Sequence, residues 1–297
     1  VSQGTLQSIF EYQSMMASLL GTELVNASMY DGASATAEAM LMSLRVQRKR
    51  KRLLLSRAVH PEVQETCRSY LSEQEKPPEE IPFSAEGTTD LEALKKALDE
   101  GVAAVAVQSP NALGCIEALD KIADLVHEAG ALLIAVVLEP VSLGMLEAPG
   151  KLGADIVTGE GSAFGCGLNY GGPGLGLFGA SAKHVWQMPG RLVGQTTDDR
   201  GQVGYVLTMS SREQHIRRAR ATSNICTNEG LCMLAAAIHL SLLGKQGLQE
   251  LARINLANAQ ATAKRLCQVQ GVEMAFPSAS FNEFALKVPG DVEKSLE

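Results

Sequence analysis

The segment GVAAVAVQSPNALGCIEALDKIADLVHEAGALLIAVVLEP, residues 101–140, decides the fold. Its two apolar runs, VAAVAVQ and ALLIAVV, are continuous rather than alternating, which is the pattern of strands buried on both faces. Between them, LGCIEALDKIADLVHEAG has the spacing of an amphipathic helix. Strand, helix and strand in that order make a parallel crossover unit.

The same alternation extends outward in both directions. Upstream, DLEALKKALDEG (90–101) reads as a helix and RLLLSR (52–57) as a short buried strand. HPEVQETCRSYLSEQ (60–74) reads as a helix with Pro61 in its first turn, and KPPEEIP (76–82) as a linker. TLQSIFEYQSMMASLL (5–20) and ASATAEAMLMSLRV (33–46) read as helices, the second with Asp31 placed to cap it. Downstream, ADIVTG (154–159) is a further strand, GLFGAS looks strand-like, and AKHVWQM reads as a helix. A Ser210/Glu213 capping box opens REQHIRRARA, and a long helical region runs from about Glu229 to Gln270, interrupted near Gly244. The expected architecture is three-layer α/β/α with a mainly parallel sheet. Residues 1–245 form a large domain and residues 246–297 the start of a smaller C-terminal α+β domain.

Several function classes fall away on composition. A chain of 297 residues can bury a large core, and no run of eighteen apolar residues marks a membrane span. The first residues lack the charged and apolar regions of a signal peptide. Six cysteines without CxxC spacing point to reduced thiols and a cytoplasmic location, with no metal site. A net charge of -7 argues against nucleic acid as a partner. RVQRKRKR (45–52) is the exception, readable as a phosphate-binding run or as a solvated turn after a helix. With no initiator Met, and with NEFALKV near the other end lacking a following element to pack on it, material is expected to be missing at both ends.

Glycines crowd GEGSAFGCGLNYGGPGLGLFG (159–179), directly after the ADIVTG strand, where ligands bind in open α/β sheets. GLGLFG (174–179) matches the dinucleotide pattern, with Asp198 and Asp199 about twenty residues on. That fingerprint needs a helix starting inside it, and here a strand follows instead. No GxSxG elbow or HExxH pattern occurs. Two loops, SMYDGAS (28–34) and ATSNICTN (221–228), join small polar residues to helix starts. Such loops hold phosphate or merely cap the helix, and spacing alone does not separate the two.

NASMYDGASATAEA, LGADIVTGEG with YGGPGLG, MPGRLVG and REQHIRRARATSNICTNEGL together resemble the P-protein family of the glycine cleavage system. Within it, the likeness is to subunit 1 of the two-subunit glycine dehydrogenase (decarboxylating), collinear over essentially the whole chain. The resemblance implies the pyridoxal-phosphate-dependent transferase fold, related to aspartate aminotransferase. It also implies decarboxylation of glycine, with the aminomethyl group passing to the lipoyl arm of H-protein.

Such chemistry needs a lysine to bind the cofactor's aldehyde. Ser162 stands near the place where the lysine of catalytic relatives falls, and none lies between Lys151 and Lys183. Glu139 takes the position where an Asp partner for the pyridine nitrogen is expected. The resemblance therefore implies that a lysine-bearing subunit 2 holds the cofactor and that none is bound covalently here. Thr222, Ser223, Asn224 and Thr227 are expected to reach the partner's cofactor across an interface. Tyr30, Asp31, Gly32, Glu139, Glu160, Gly171 and Gly172 are expected to form a vestigial pocket. The competing readings are an inert scaffold or regulatory partner of the same fold, and a dinucleotide-binding oxidoreductase.

Overall fold

The computed structural model describes residues 2–74, 77–168, 170–225, 228–290 and 292. Helix α1 (Ser2–Leu20) buries Ile9, Tyr12, Met16 and Leu20, a stripe of helical period. Strand β1 (Leu24–Val25) leads to α2 (Gly32–Val46), whose N-cap Asp31 accepts the Ser34 N–H at 2.7 Å. There follow β2 (Arg52–Ser56), α3 (Pro61–Tyr70), β3 (Glu79–Ile81), α4 (Leu91–Ala97), β4 (Val102–Gln108), α5 (Leu119–Glu128), β5 (Leu132–Val137) and β6 (Ile156–Glu160). Strand β7 (Gly176–Ala180) is reached through the glycine-rich turn rather than a crossover helix, so it pairs antiparallel to β6.

The seven-stranded sheet has the order β1-β7-β6-β5-β4-β2-β3. Strands β2 to β6 pair in parallel, as the continuous apolar runs predict. Alternate residues feed two cores. Val105, Val107, Leu133 and Val157 pack on the side that carries α1, α5 and α7 residues, while Leu55, Ala106, Ile134 and Val136 pack with those of α2 and α3.

Beyond the sheet, β8 (Leu192–Thr197) and β9 (Val203–Thr208) form a hairpin, followed by the single turn α6 (Gln214–Arg217). Helix α7 (Gly230–Leu266) breaks at Gly244, whose φ of 61° and ψ of -178° lie in a region essentially reserved for glycine. By length and composition α7 could cross a membrane, with an 18-residue window of mean hydropathy 1.4. It nevertheless buries Cys232, Met233, Ala236, Ala237, Leu248 and Ala252 in the core. A short hairpin, β10 (Glu273–Met274) with β11 (Leu286–Lys287), follows it.

Several local expectations fail for identifiable reasons. The KPPEEIP linker contains edge strand β3, because β2 offers it a parallel partner. AKHVWQM forms a 3-10 turn, Ala182–Gln187. The Ser210/Glu213 capping box does not form. Met209 takes the cap position in a left-handed conformation with no side-chain cap, and only short turns follow. In the basic run, Arg50 donates to the carbonyls of Val102 and Ala129 while Arg52 pairs with Glu79 and Asp99, so part of it stitches the sheet edge together.

Candidate functional site

The parallel strands end on one side of the sheet, and there an open cleft of about 1490 Å3 lies over their C-terminal ends. Each wall comes from the residues just past an element boundary. Asp31 and Gly32 begin α2, His60 caps α3, Gln108 ends β4, Glu139 follows β5, and Glu160 ends β6. Ser162, Gly171 and Gly172 of the glycine-rich turn also line it, as do residues 282–285. Tyr30 is half-buried against the core on the α2 side and does not line the cleft.

The glycines here serve close approach. A side chain at Gly32 would place its Cβ 2.9 Å from the carbonyl carbon of Gly159, so α2 begins directly on the end of β6. In that contact Glu160 becomes a hub. One carboxylate oxygen accepts the Gly32 N–H at 2.9 Å, and the other accepts those of Ser162 at 3.0 Å and Leu175 at 2.8 Å. Glu139 is also engaged, accepting the Val141 N–H at 3.1 Å and Asn282 Nδ2–H at 2.9 Å. It thereby ties the C-terminal segment to the end of β5.

The described lining contains carboxylates at Asp31, Glu62, Glu65, Glu139, Glu160 and Glu283, and neither lysine nor arginine. Lys151 pairs with Glu147 and Lys183 with Asp155, both away from the cleft. The residues present therefore do not fit pyridoxal phosphate. Among the described residues no amine faces the cleft to bind its aldehyde and no cation offsets its phosphate, and Glu160 holds the first N–H of α2. No chemical step is assigned to this cleft. Cys166 supplies no ready nucleophile either. Burial, followed by contact with Cys232 and the charge of Glu160, pushes its thiol up to about 11, so it is protonated at neutral pH.

Residues 221–225 and 228 are not among the residues lining the cleft and have their own anchors. Thr222 N–H donates to the Arg212 carbonyl at 3.0 Å, and Ile225 is buried beneath. The Ser223 hydroxyl accepts the Ile225 N–H at 3.1 Å. Burial raises the Glu38 pKa, opposed by Ser223 and Arg45. Asn224 is exposed, and Thr227 lies outside the described residues. Glu229 N–H donates to Ser28 Oγ at 3.0 Å, tying the far end of the loop to the lead-in of α2.

GLGLFG enters β7 with no helix starting inside it, so the dinucleotide fingerprint is a sequence coincidence. His60, Gln108 and Glu38 were missed on the sequence. The first two were findable, since residues following each parallel strand are candidates by position alone. Glu38 carries no such signal within a helix of good formers.

The Glycine cleavage system P-protein family model matches residues 1–296. A probable glycine dehydrogenase (decarboxylating) subunit 1 from Desulfotalea psychrophila is 49% identical over the whole chain, which covers 65% of that relative. Another from Desulfitobacterium hafniense is 52% identical over 287 residues, 97% of this chain and 64% of the relative. The chain thus spans a little under two thirds of the length of these curated relatives. A crystal structure of glycine decarboxylase (P-protein) of the glycine cleavage system, in inhibitor-bound form, superposes with a TM-score of 0.93 at 45% identity, covering 99% of this chain and 65% of that one. A sphingosine-1-phosphate lyase from Burkholderia pseudomallei, with a TM-score of 0.70 and 16% identity over 96% of this chain and 65% of its own, shares the fold alone. That fold is the one used by pyridoxal-phosphate-dependent fold-type I enzymes.

Proposed function

The chain belongs to the glycine cleavage system P-protein family, and from this we propose that it is the non-lysine subunit of a heteromeric, cytoplasmic glycine dehydrogenase (decarboxylating). The absence of lysine from the described lining of the cleft carries this reading. Relatives named subunit 1 support it, since the name implies a partner subunit. A lysine-bearing subunit 2 holds pyridoxal phosphate, which supplies the electron withdrawal that lets glycine lose its carboxylate. The aminomethyl group then passes to the lipoyl arm of H-protein.

This chain contributes at the interface. Thr222, Ser223 and Asn224, with Thr227, reach the partner's cofactor phosphate. The glycine-rich turn packs on α7 near Ala235 and His239, and beside that contact Leu168, Leu231, Ile238 and Leu242 are exposed. An apolar surface of this kind supports burial against a partner. The backbone break at Gly244 supports a boundary near residue 245 between the large domain and the smaller C-terminal one.

The test is co-expression with subunit 2, followed by assay of cofactor affinity and of glycine decarboxylation with H-protein present. Thr222→Ala and Asn224→Ala are expected to assemble normally and to weaken cofactor retention. The anchoring of Thr222 N–H on the Arg212 carbonyl favours a second reading, a pure scaffold. Unchanged affinity and turnover in both variants would establish that reading instead.

A further inference from the structure

The N-terminus of a helix binds anions because its first N–H groups are unpaired and its dipole presents positive charge. Helix α2 aims that end at the floor of the cleft, and an anion already sits there. It is the protein's own Glu160 carboxylate, held by the N–H groups of Gly32, Ser162 and Leu175. Asp31 takes the N–H of Ser34, so a second carboxylate faces the same helix end. The helix start also lies against the backbone of Gly159, leaving no gap between helix and strand.

We propose that Glu160 is an internal replacement for a bound phosphate, and that it closes the cleft of this chain to phosphate and to phosphorylated cofactors. Its carboxylate satisfies the donors a phosphate would use and adds like charge where the phosphate would sit. Loss of the lysine is thus accompanied by occupation of the anion position, and the two together exclude the cofactor from this chain. That the cofactor is confined to the partner rests on the proposed function, whereas phosphate exclusion concerns this chain alone.

The experiment uses the full chain without its partner, labelled with nitrogen-15, titrated separately with inorganic phosphate, pyridoxal phosphate and pyridoxal. The wild-type chain is expected to show no saturable shift of the Gly32 and Ser162 amide signals. Glu160→Ala is expected to bind phosphate about tenfold or more tightly than the wild-type chain, reported at Gly32. Glu160→Gln keeps a carbonyl acceptor but loses the charge, and it is expected to fall between the two. Saturable phosphate binding at Gly32 in the wild-type chain would overturn the proposal. So would a folded Glu160→Ala with no gain; if that variant does not fold, Glu160→Gln decides by the same criterion. None of these outcomes bears on whether a partner subunit carries the cofactor.

Discussion

Replacing Gly32 with alanine sets two effects of opposite sign against each other. By helix propensity alone, alanine in place of glycine stabilises a helix interior by about 1 kcal/mol. At Gly32 the added Cβ would meet Gly159 C at 2.9 Å, Gly159 O at 3.0 Å and Glu160 N at 3.1 Å. These are backbone atoms of β6, fixed between β5 and β7, so the helix must move. Overpacking of this kind costs about 1–3 kcal/mol. Backing the helix away also stretches the hydrogen bond from Gly32 to the Glu160 carboxylate, and bonds to charged groups contribute about 1.5–3 kcal/mol. The net expectation for Gly32→Ala is a loss of about 1.5–5 kcal/mol. Gly4→Ala is the control, because Gly4 lies exposed in α1 with nothing within 4 Å of its Cβ position. It should gain up to about 1 kcal/mol. Urea unfolding followed by circular dichroism reads both as shifts in midpoint at constant slope. If Gly32→Ala were as stable as the wild-type chain, α2 would not be pinned on the end of β6.

Glu117 is buried and accepts Thr89 N–H at 3.0 Å and Asn111 Nδ2–H at 2.8 Å, yet burial dominates and raises its pKa. The folded chain therefore binds its proton more tightly than the unfolded one. Its contribution to stability is full below the ordinary carboxylate value and declines as pH rises through the raised one. Glu117→Gln should remove that slope in melts across this window, and an unchanged slope would refute the assignment. Gly244→Ala should cost about 1–3 kcal/mol from backbone strain alone, since its φ is 61° and open space surrounds it; an unchanged melting temperature would count against the break in α7. The Tyr12 hydroxyl is fully buried and unpartnered among the described residues. Tyr12→Phe should therefore be neutral or stabilising by about 1 kcal/mol in urea unfolding, and a clear loss would reveal a partner for the hydroxyl.

How much was legible depended on how local the cause was. Strands β4 and β5 could be read directly, because strands covered on both faces are apolar throughout. The Asp31 cap was equally plain, since its partner Ser34 is three residues away. Strands β1 and β3 were not, because two or three residues on a sheet edge owe their conformation to the neighbouring strand. The capping pattern at Ser210 misled for the converse reason, with Met209 held in a left-handed turn that the motif does not anticipate.

The same division runs through the site. By itself, the sequence determined the fold class, the position of the glycine-rich turn at a strand end, and the absence of lysine between Lys151 and Lys183. Those properties depend on residue type and short spacing. Only the tertiary structure decided that Glu160 fills the N-terminus of α2 and that the Arg212 carbonyl holds the N–H of Thr222. The first contact joins residues 128 positions apart. Packing both helices and turn against one sheet sets such contacts, and no local pattern encodes them.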